Sequence, residues 1–260
     1  MNILITNDDG IYAEGILVLK NALEKIGKVL IVAPDRPRSA CGHSITLHKP
    51  LRAERIKLAD GSIGFASNGT PSDCVSLALL GLSEEPIDLV VSGINRGPNL
   101  GWDLTYSGTV SAAMEGAISG VQSFAISVAT YSMEVDYSVA AQFAVDIAKI
   151  LSKSKLPEST LLNINIPPLH SSEIKGIQIT KQGKRRYIGS LDKRSDPSGR
   201  DYYWLGGDLP VDSLDEGTDV KAVADDYISV TPVHLDLTDY SALESVGAWG
   251  IDDITLEPPL

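Results

Sequence analysis

The chain has 260 residues, a formal net charge of −12, 43% hydrophobic residues and two cysteines. This composition predicts a globular protein with a sizeable core, and the acidic charge argues against nucleic acid or anionic membranes as partners. The cysteines form no CxxC pair, and the chain has no basic leader and no apolar run long enough to span a membrane, so we expect a soluble cytoplasmic protein without a disulfide framework.

The first half of the chain alternates short β-branched runs with helical patterns. Strands are predicted at 2–6, 28–33, 88–92 and 124–129, and helices at 14–26, 71–82, 109–119 and 137–152. Such alternation is typical of an α/β fold whose mostly parallel sheet is covered on both faces. Residues 44–67 interrupt the pattern with three predicted short strands, 45–47, 55–58 and 63–66, the last two joined by a turn at Asp60-Gly61.

The second half differs in character after about residue 165. A strand predicted at 161–166 ends at Pro167-Pro168, and the stretch 181–200 is basic in an otherwise acidic chain. A turn at 196–199 precedes the aromatic run 202–204, which predicts a protruding hairpin arm near 181–207. The alternative is a solvated loop whose aromatic side chains fold back on the core. We predict a catalytic core at 1–165 and a C-terminal portion at 166–260. The alternative is that both parts belong to one domain.

Two adjacent carboxylates, Asp8 and Asp9, follow the first predicted strand. In open α/β sheets, ligands bind beyond the carboxyl ends of the strands, so one interpretation is a divalent-metal site. The other is an Asx turn, in which Asp9-Gly10 bends the chain into the following helix.

Polar residues follow two further predicted strands in the same way. Ser39 lies in the loop after 28–33, and Asn95 lies in the loop after 88–92. If these strands are neighbours of the first, their ends bring Asp8, Asp9, Ser39 and Asn95 together. Carboxylate, hydroxyl and amide oxygens are hard ligands, suited to Mg²⁺, Mn²⁺ or Ca²⁺ rather than to zinc.

Small and hydroxylated residues lead into the helix predicted at 109–119. The amides at the start of a helix bind phosphate without a lysine, but Ser107 or Thr109 could equally be a plain N-cap. His43 lies in a glycine-flanked loop near the predicted site, where a general acid and a structural residue are both possible. Cys41 and Cys74 are expected to be small buried or half-buried residues.

Two common phosphate-handling motifs are absent. The chain has no GxxxxGK[ST] segment, and no GxGxxG follows the first strand. A phospho-aspartate mechanism of the haloacid dehalogenase type needs carboxylates two positions apart after the strand, whereas Asp8 and Asp9 are adjacent. Covalent catalysis therefore ranks below attack by a metal-activated water.

Taken together, these loops resemble the SurE (survival protein E) family of metal-dependent nucleotide phosphatases. The resemblance covers most of residues 1–130, and its segments follow strands or begin helices: 3–10 (ILITNDDG), 33–46, 69–75 (GTPSDCV), 91–101 (VSGINRGPNLG) and 106–110 (YSGTV). Ala40 occupies a position where many members of the family have glycine.

The resemblance implies a Rossmann-like core and the hydrolysis of nucleoside 5′- and 3′-monophosphates. It implies one divalent cation per subunit, Mg²⁺ or Mn²⁺ with Ca²⁺ a substitute in crystals, held by the four oxygen ligands Asp8, Asp9, Ser39 and Asn95. It places the substrate phosphate at Ser107, Gly108 and Thr109, with Asn99 close by. Homodimers or homotetramers that exchange C-terminal segments are also implied, which suits an exposed aromatic arm.

We therefore predict a 5′-nucleotidase in which Asp8 and Asp9 are catalytic, with Asp8 assisting the attacking water and His43 a candidate general acid. The alternative from another class is a non-catalytic module that senses nucleotides or metal ions. That module would bind both ligands but release no phosphate.

Overall fold

The computed structural model describes residues 1–186, 189–207 and 210–254. Positions 187, 188, 208, 209 and 255–260 of the predicted C-terminal portion lie outside the described residues. The strands are β1 (Asn2–Thr6), β2 (Lys28–Pro34), β3 (Ala53–Lys57), β4 (Ile63–Ser67), β5 (Leu89–Arg96), β6 (Gln122–Val128), β7 (Thr160–Ile166), β8 (Gly176–Ile179), β9 (Arg185–Arg186), β10 (Gly189–Ser195), β11 (Asp201–Gly207), β12 (Val211–Asp212) and β13 (Tyr227–His234).

Six α-helices accompany these strands within the described ranges. They are α1 (Glu14–Leu23), α2 (Pro71–Leu77), α3 (Gly108–Ile118), α4 (Ser138–Leu151), α5 (Asp219–Ala224) and α6 (Leu243–Gly247). A π-helical turn, Ala78–Leu82, extends α2, and 3₁₀ turns cover Gly101–Thr105 and Ile251–Asp253. No helix in the described part of the chain has the length and apolar character needed to cross a membrane.

The central sheet has the strand order β3-β4-β2-β1-β5-β6-β7-β13-β8. Only the β3–β4 and β7–β13 pairs of this sheet are antiparallel within the described residues, so the predicted mostly parallel α/β sheet is confirmed. β1 pairs with β2 on one side and β5 on the other, which confirms the adjacency on which the predicted site depends. The chain order reverses beside β1, and such a switch point opens a crevice at the strand ends.

Alternate residues of β1 pack on opposite faces of the sheet. Ile3 and Ile5 belong to the core beneath α1 and α4, whereas Leu4 packs with side chains of α2 and α3. Because both faces are covered, the middle of β1, Ile3-Leu4-Ile5, is apolar, and polar side chains appear only at the two ends of the strand.

The segment 44–67 contains two strands rather than three. β3 and β4 form an antiparallel hairpin around Asp60-Gly61, as predicted. The strand predicted at 45–47 is wrong, because Asp73 accepts hydrogen bonds from the Thr46 backbone amide (2.8 Å) and hydroxyl (2.6 Å). The same carboxylate completes the capping box of α2, so this segment is tied to a helix start and not to a sheet edge.

The C-terminal portion contributes to the central sheet and also forms the predicted hairpin. β8 and β13 extend the main sheet, while β10 and β11 make a separate two-stranded sheet around the turn at 196–199. Several large apolar side chains of this hairpin are exposed: Leu191, Tyr202, Tyr203, Trp204 and Leu205. They do not fold back on the core. The division of the chain at residue 165 stays a prediction.

Candidate active site

A cleft of about 360 Å³ opens at the carboxyl ends of β1, β2 and β5. Its lining comes from the loops after these strands and from the loop after β6: Asp8, Asp9, Ser39, Ala40, Asn95, Arg96, Gly97, Pro98, Asn99, Asp103, Tyr106, Ser107 and Tyr131. The cleft therefore brings together all four oxygen ligands predicted from the sequence.

Asp8 is the more deeply buried of the two adjacent carboxylates, with 6% of its surface exposed. Its Oδ1 accepts a 2.5 Å hydrogen bond from the Thr109 hydroxyl, which ties β1 to the first turn of α3. A Cβ atom at Gly108 would lie 2.8 Å from the Asp8 Cβ, so only glycine allows this approach. Burial, assisted by the like charge of Asp9, raises the pKa of Asp8 to about 6.

Asp9 is half-buried and is oriented from β5. Its Oδ2 accepts a hydrogen bond from the Arg96 backbone amide at 3.2 Å, and burial raises its pKa. The turn that follows is made by Asn7, whose side-chain amide exchanges hydrogen bonds with the backbone of Gly10. An Asx turn is therefore present as well, but Asn7 forms it and leaves both carboxylates facing the cleft.

The two neutral oxygen residues reach the cleft from β5 and from the loop after β2. The Asn95 side-chain nitrogen donates to the Gly97 carbonyl at 2.9 Å, which leaves its amide oxygen as the atom available to a cation. Ser39 is exposed and precedes Ala40, whose φ of 54° lies in the left-handed region. Glycine adopts that conformation without the steric cost that alanine has there.

The donor set fits a hard divalent cation. A buried and a half-buried carboxylate with raised pKa values lie side by side, and neither forms a salt bridge with a lysine or arginine side chain among the described residues. The same part of the chain contains no group of three or more His, Cys, Asp or Glu side chains arranged as a metal site. Any ion bound here would thus be held by two carboxylates and neutral oxygens, as Mg²⁺ or Mn²⁺ prefers.

The residues predicted to bind phosphate lie at the start of α3. The Ser107 hydroxyl accepts a hydrogen bond from the Val110 amide at 3.0 Å, so the N-cap interpretation is confirmed for Ser107. Thr109 is not the N-cap, because its hydroxyl donates a hydrogen bond to Asp8. The first turn of α3 therefore directs its amides and its positive dipole end toward the carboxylates.

Asn99 lies in the cleft lining and is rigidly held. Its side chain donates to the Ser127 hydroxyl at 2.8 Å, and its backbone amide donates to the Asn165 side chain at 2.8 Å. The Asn99 carbonyl accepts hydrogen bonds from Asn163 and Asn165. This buried network fixes the loop after β5.

His43 does not line the cleft. Its Nε2 lies 2.9 Å from a carboxylate oxygen of Glu115, whose other oxygen accepts from Ser76. Cys41 is half-buried and Cys74 is buried, and both are free thiols, as expected.

The sequence did not predict that Tyr131 lines the cleft or that Arg185 is buried beside the lining residue Asp103. Tyr131 lies in the loop after β6, outside every motif, and nothing in the sequence marks it. Arg185 belongs to the basic stretch that was predicted to form a protruding arm, but it is buried and paired with Asp103 and Asp212. A buried arginine inside a run of exposed cations cannot be distinguished from its neighbours by sequence.

Comparison with known proteins gives one consistent result. The family model described as Survival protein SurE matches residues 3–189. The chain belongs to the SurE family. It is 50% identical over 251 residues to a 5′-nucleotidase SurE of Geobacter sulfurreducens, covering 96% of this chain and 94% of the relative. It is 51% identical over 250 residues to a 5′-nucleotidase SurE of Heliobacterium modesticaldum, with coverages of 96% and 92%.

A solved structure agrees with this membership. The SurE protein of Aquifex aeolicus superimposes with a TM-score of 0.81 at 44% identity, covering 96% of this chain and 99% of that one. The family and the α/β fold expected for this SurE-family chain are therefore both confirmed.

Proposed function

We propose that this protein is a divalent-metal-dependent 5′-nucleotidase that hydrolyses nucleoside 5′- and 3′-monophosphates to nucleosides and phosphate. The relatives named 5′-nucleotidase SurE support this activity, because they are about 50% identical to this chain over nearly their full length. The observation that carries the proposal is the pair of adjacent carboxylates, the buried Asp8 and the half-buried Asp9, beside the first turn of α3.

Asp8, Asp9, Ser39 and Asn95 would hold one Mg²⁺ or Mn²⁺ ion. When bound, such an ion supplies a Lewis acid for phosphate oxygens and lowers the pKa of coordinated water. Thr109 and the Arg96 amide fix the two carboxylates, so the ligands keep their orientation before the ion arrives.

The start of α3 would receive the substrate phosphate at Ser107, Gly108 and Thr109, with Asn99 on the opposite loop. Free amides and the positive dipole end of a helix stabilise an anion without a lysine, which suits a chain of net charge −12. Asp8 and Asp9 would be the catalytic carboxylates. Asp8 is the candidate to accept a proton from the attacking water, because it is buried nearest to the helix start.

His43 remains a hypothesis as general acid, since its imidazole contacts Glu115 and would have to turn toward the cleft. His43→Gln should lower kcat for nucleotide substrates and leave kcat for p-nitrophenyl phosphate unchanged, because that leaving group needs no proton. If His43→Gln has the wild-type kcat for nucleotides as well as for p-nitrophenyl phosphate, His43 has no part in the mechanism.

The arm formed by β10 and β11 would join copies of this chain into a homodimer or homotetramer. Its support is the exposed aromatic patch, and its basic side chains are paired within the hairpin, as in the Lys193–Asp201 ion pair at 2.6 Å. A cytoplasmic location is part of the same proposal. The measurement is the molar mass by light scattering, which Trp204→Ser should reduce to that of a smaller assembly.

A phosphate-release assay tests the activity. The protein is treated with chelator and then assayed with AMP, 3′-AMP and CMP, with and without Mn²⁺. Phosphate release that requires the metal is the expected result.

Two outcomes would contradict the proposal in different ways. Binding of nucleotide and Mn²⁺ without phosphate release would favour the sensing module. Trapping of a stable phospho-aspartate at Asp8 or Asp9 would replace attack by water with covalent catalysis.

A further inference from the structure

Two exposed tyrosines line the same cleft as the four oxygen ligands. Tyr106 is 64% exposed and Tyr131 is 61% exposed, and they come from different loops, after β5 and after β6. Exposed tyrosines elsewhere, such as Tyr203 on β11, do not line this cleft. The position of Tyr106 and Tyr131 beside the residues proposed to bind phosphate and metal needs an explanation other than core packing.

Tyr106 is held through its backbone. Its amide donates to the Asp103 carbonyl, and its own carbonyl accepts from the Gly42 amide, both at 3.0 Å. The next residue is Ser107, the N-cap of α3. The ring is therefore attached directly to the helix start where the substrate phosphate is proposed to bind.

Tyr131 lies close to the Arg185 guanidinium, whose charge acts on its phenol. Arg185 is itself fixed, with 6% of its side chain exposed and two hydrogen bonds to Asp212, at 2.7 and 2.9 Å. The phenol of Tyr131 thus lies near a fixed cation, and its ring remains largely exposed. An exposed tyrosine ring has only two side-chain torsions to fix, so it loses little conformational entropy when it stacks on a ligand.

We propose that Tyr106 and Tyr131 are specificity-determining residues that bind the nucleoside part of the substrate by stacking on its base. This rests on the proposed nucleotidase activity. The cleft volume of 360 Å³ falls within the range of about 300–1,000 Å³ that is usual for small-molecule sites. Stacking uses the π-face that every base has, so the subsite accepts purines and pyrimidines alike.

The test compares AMP with ribose 5-phosphate, which presents the same ester without a base. Tyr106→Ala and Tyr131→Ala should each raise KM for AMP about 10-fold, in line with the measured cost of losing one base–aromatic stack, with kcat changed less than about 2-fold. KM for ribose 5-phosphate should not change. Tyr106→Phe and Tyr131→Phe keep the ring and should retain KM for AMP within about 3-fold.

Tyr240→Ala is the matched control, because Tyr240 is 68% exposed and lies outside the cleft lining. It should leave both KM values unchanged. An equal rise in KM for AMP and ribose 5-phosphate in the alanine variants would show a structural effect on the cleft and overturn the proposal. Unchanged KM for AMP would overturn it as well.

Adenosine binding, measured by saturation-transfer NMR, tests the subsite without turnover. Contacts to the adenine protons in the wild type that disappear in both alanine variants are expected. Failure of the wild type to release phosphate from any ester would contradict the proposed function, whereas adenine contacts that survive both substitutions would contradict only the tyrosine subsite.

Discussion

Asp8 and Asp219 are both buried carboxylates near the cleft, and their surroundings differ in one decisive respect. Asp219 is fully buried, and its oxygens accept backbone hydrogen bonds from Gly101, Gly183 and Val220, with Arg185 adding a favourable charge. Asp8 accepts a hydrogen bond from the Thr109 hydroxyl, and the backbone amides of Asp8 and Thr109 also lower its pKa, but it has the like charge of Asp9 beside it where Asp219 has the charge of Arg185.

Burial raises the pKa of both carboxyl groups, so a raised pKa alone does not distinguish them. Asp219 is stabilised by backbone hydrogen bonds, and it connects the cleft loop at Gly101 to the C-terminal segment at Gly183. Asp8 and Asp9 repel one another in a buried site, and a divalent cation would relieve that repulsion. We therefore propose a structural role for Asp219 and a catalytic role for Asp8, and the following substitutions test that proposal.

The largest effect is expected for Asp8→Asn. It removes a proposed metal ligand and should lower kcat/KM for AMP by about 10³-fold, because the cation contributes several kcal/mol to transition-state stabilisation. The metal-free variant should unfold at the same temperature as the wild type or higher, since a buried charge has been removed. Circular dichroism melting and phosphate release measure the two quantities. Asp146→Asn, at a half-exposed site on α4, is the control, and wild-type rates in Asp8→Asn would refute the site.

Asp219→Ala should act in the opposite way. It leaves the amides of Gly101 and Gly183 without their acceptor, and each buried unsatisfied amide costs about 1–3 kcal/mol. We expect the free energy of unfolding in urea to fall by about 3 kcal/mol, while the Mn²⁺ affinity stays within about 3-fold of the wild type. Asp225→Ala, which removes an exposed ion pair of α5, should cost less than about 1 kcal/mol. Loss of Mn²⁺ binding in Asp219→Ala with unchanged stability would reverse the two assignments.

Thr109→Val tests the hydrogen bond that orients Asp8. Loss of a partner that orients a metal ligand typically costs about 10–100-fold in metal affinity or activity, and that is the expected fall in kcat/KM at limiting Mn²⁺. Thr109→Ser keeps the hydroxyl and should restore most of the rate. Equal rates for the valine and serine variants would mean that the contact with Asp8 has no catalytic consequence.

Ala40→Gly is expected to give the smallest effect. A left-handed alanine costs about 1–2 kcal/mol, and the added freedom of glycine in the unfolded chain offsets about 0.5–1 kcal/mol of the gain. The free energy of unfolding should therefore rise by about 0.5–1 kcal/mol, with kcat/KM unchanged. Calorimetry measures the difference, and a destabilised Ala40→Gly would show that the loop that carries Ser39 depends on the alanine side chain.

Much of the molecule follows from sequence because local and global preferences agree. β1 was placed correctly because its apolar run ends at Ile5. Its position between β2 and β5 brings Ser39 and Asn95 to one cleft with Asp8. The ordered loop motifs were specific enough to indicate the family, which the relatives confirm.

The features that sequence missed depend on contacts between distant segments. The local sequence predicts that Thr46 belongs to a strand, but its backbone amide donates a hydrogen bond to Asp73, 27 positions away. Asp219 accepts a hydrogen bond from the Gly101 amide, 118 positions away. No local sequence pattern predicts that a carboxylate will bind the backbone of so distant a loop. The roles of Ser39, Asn95 and Asn99 in binding stay predictions, because neighbouring positions in a cleft do not show which ligand they hold.

Mn²⁺ titration of the chelator-treated protein, followed by the EPR signal of the free ion, tests the central claim most directly. The wild type should bind one ion per chain, Asp8→Asn should bind none at the same concentrations, and Asp219→Ala should bind as the wild type does. Stoichiometric binding that survives in Asp8→Asn, or no binding by the wild type, would contradict a cation site built on Asp8 and Asp9.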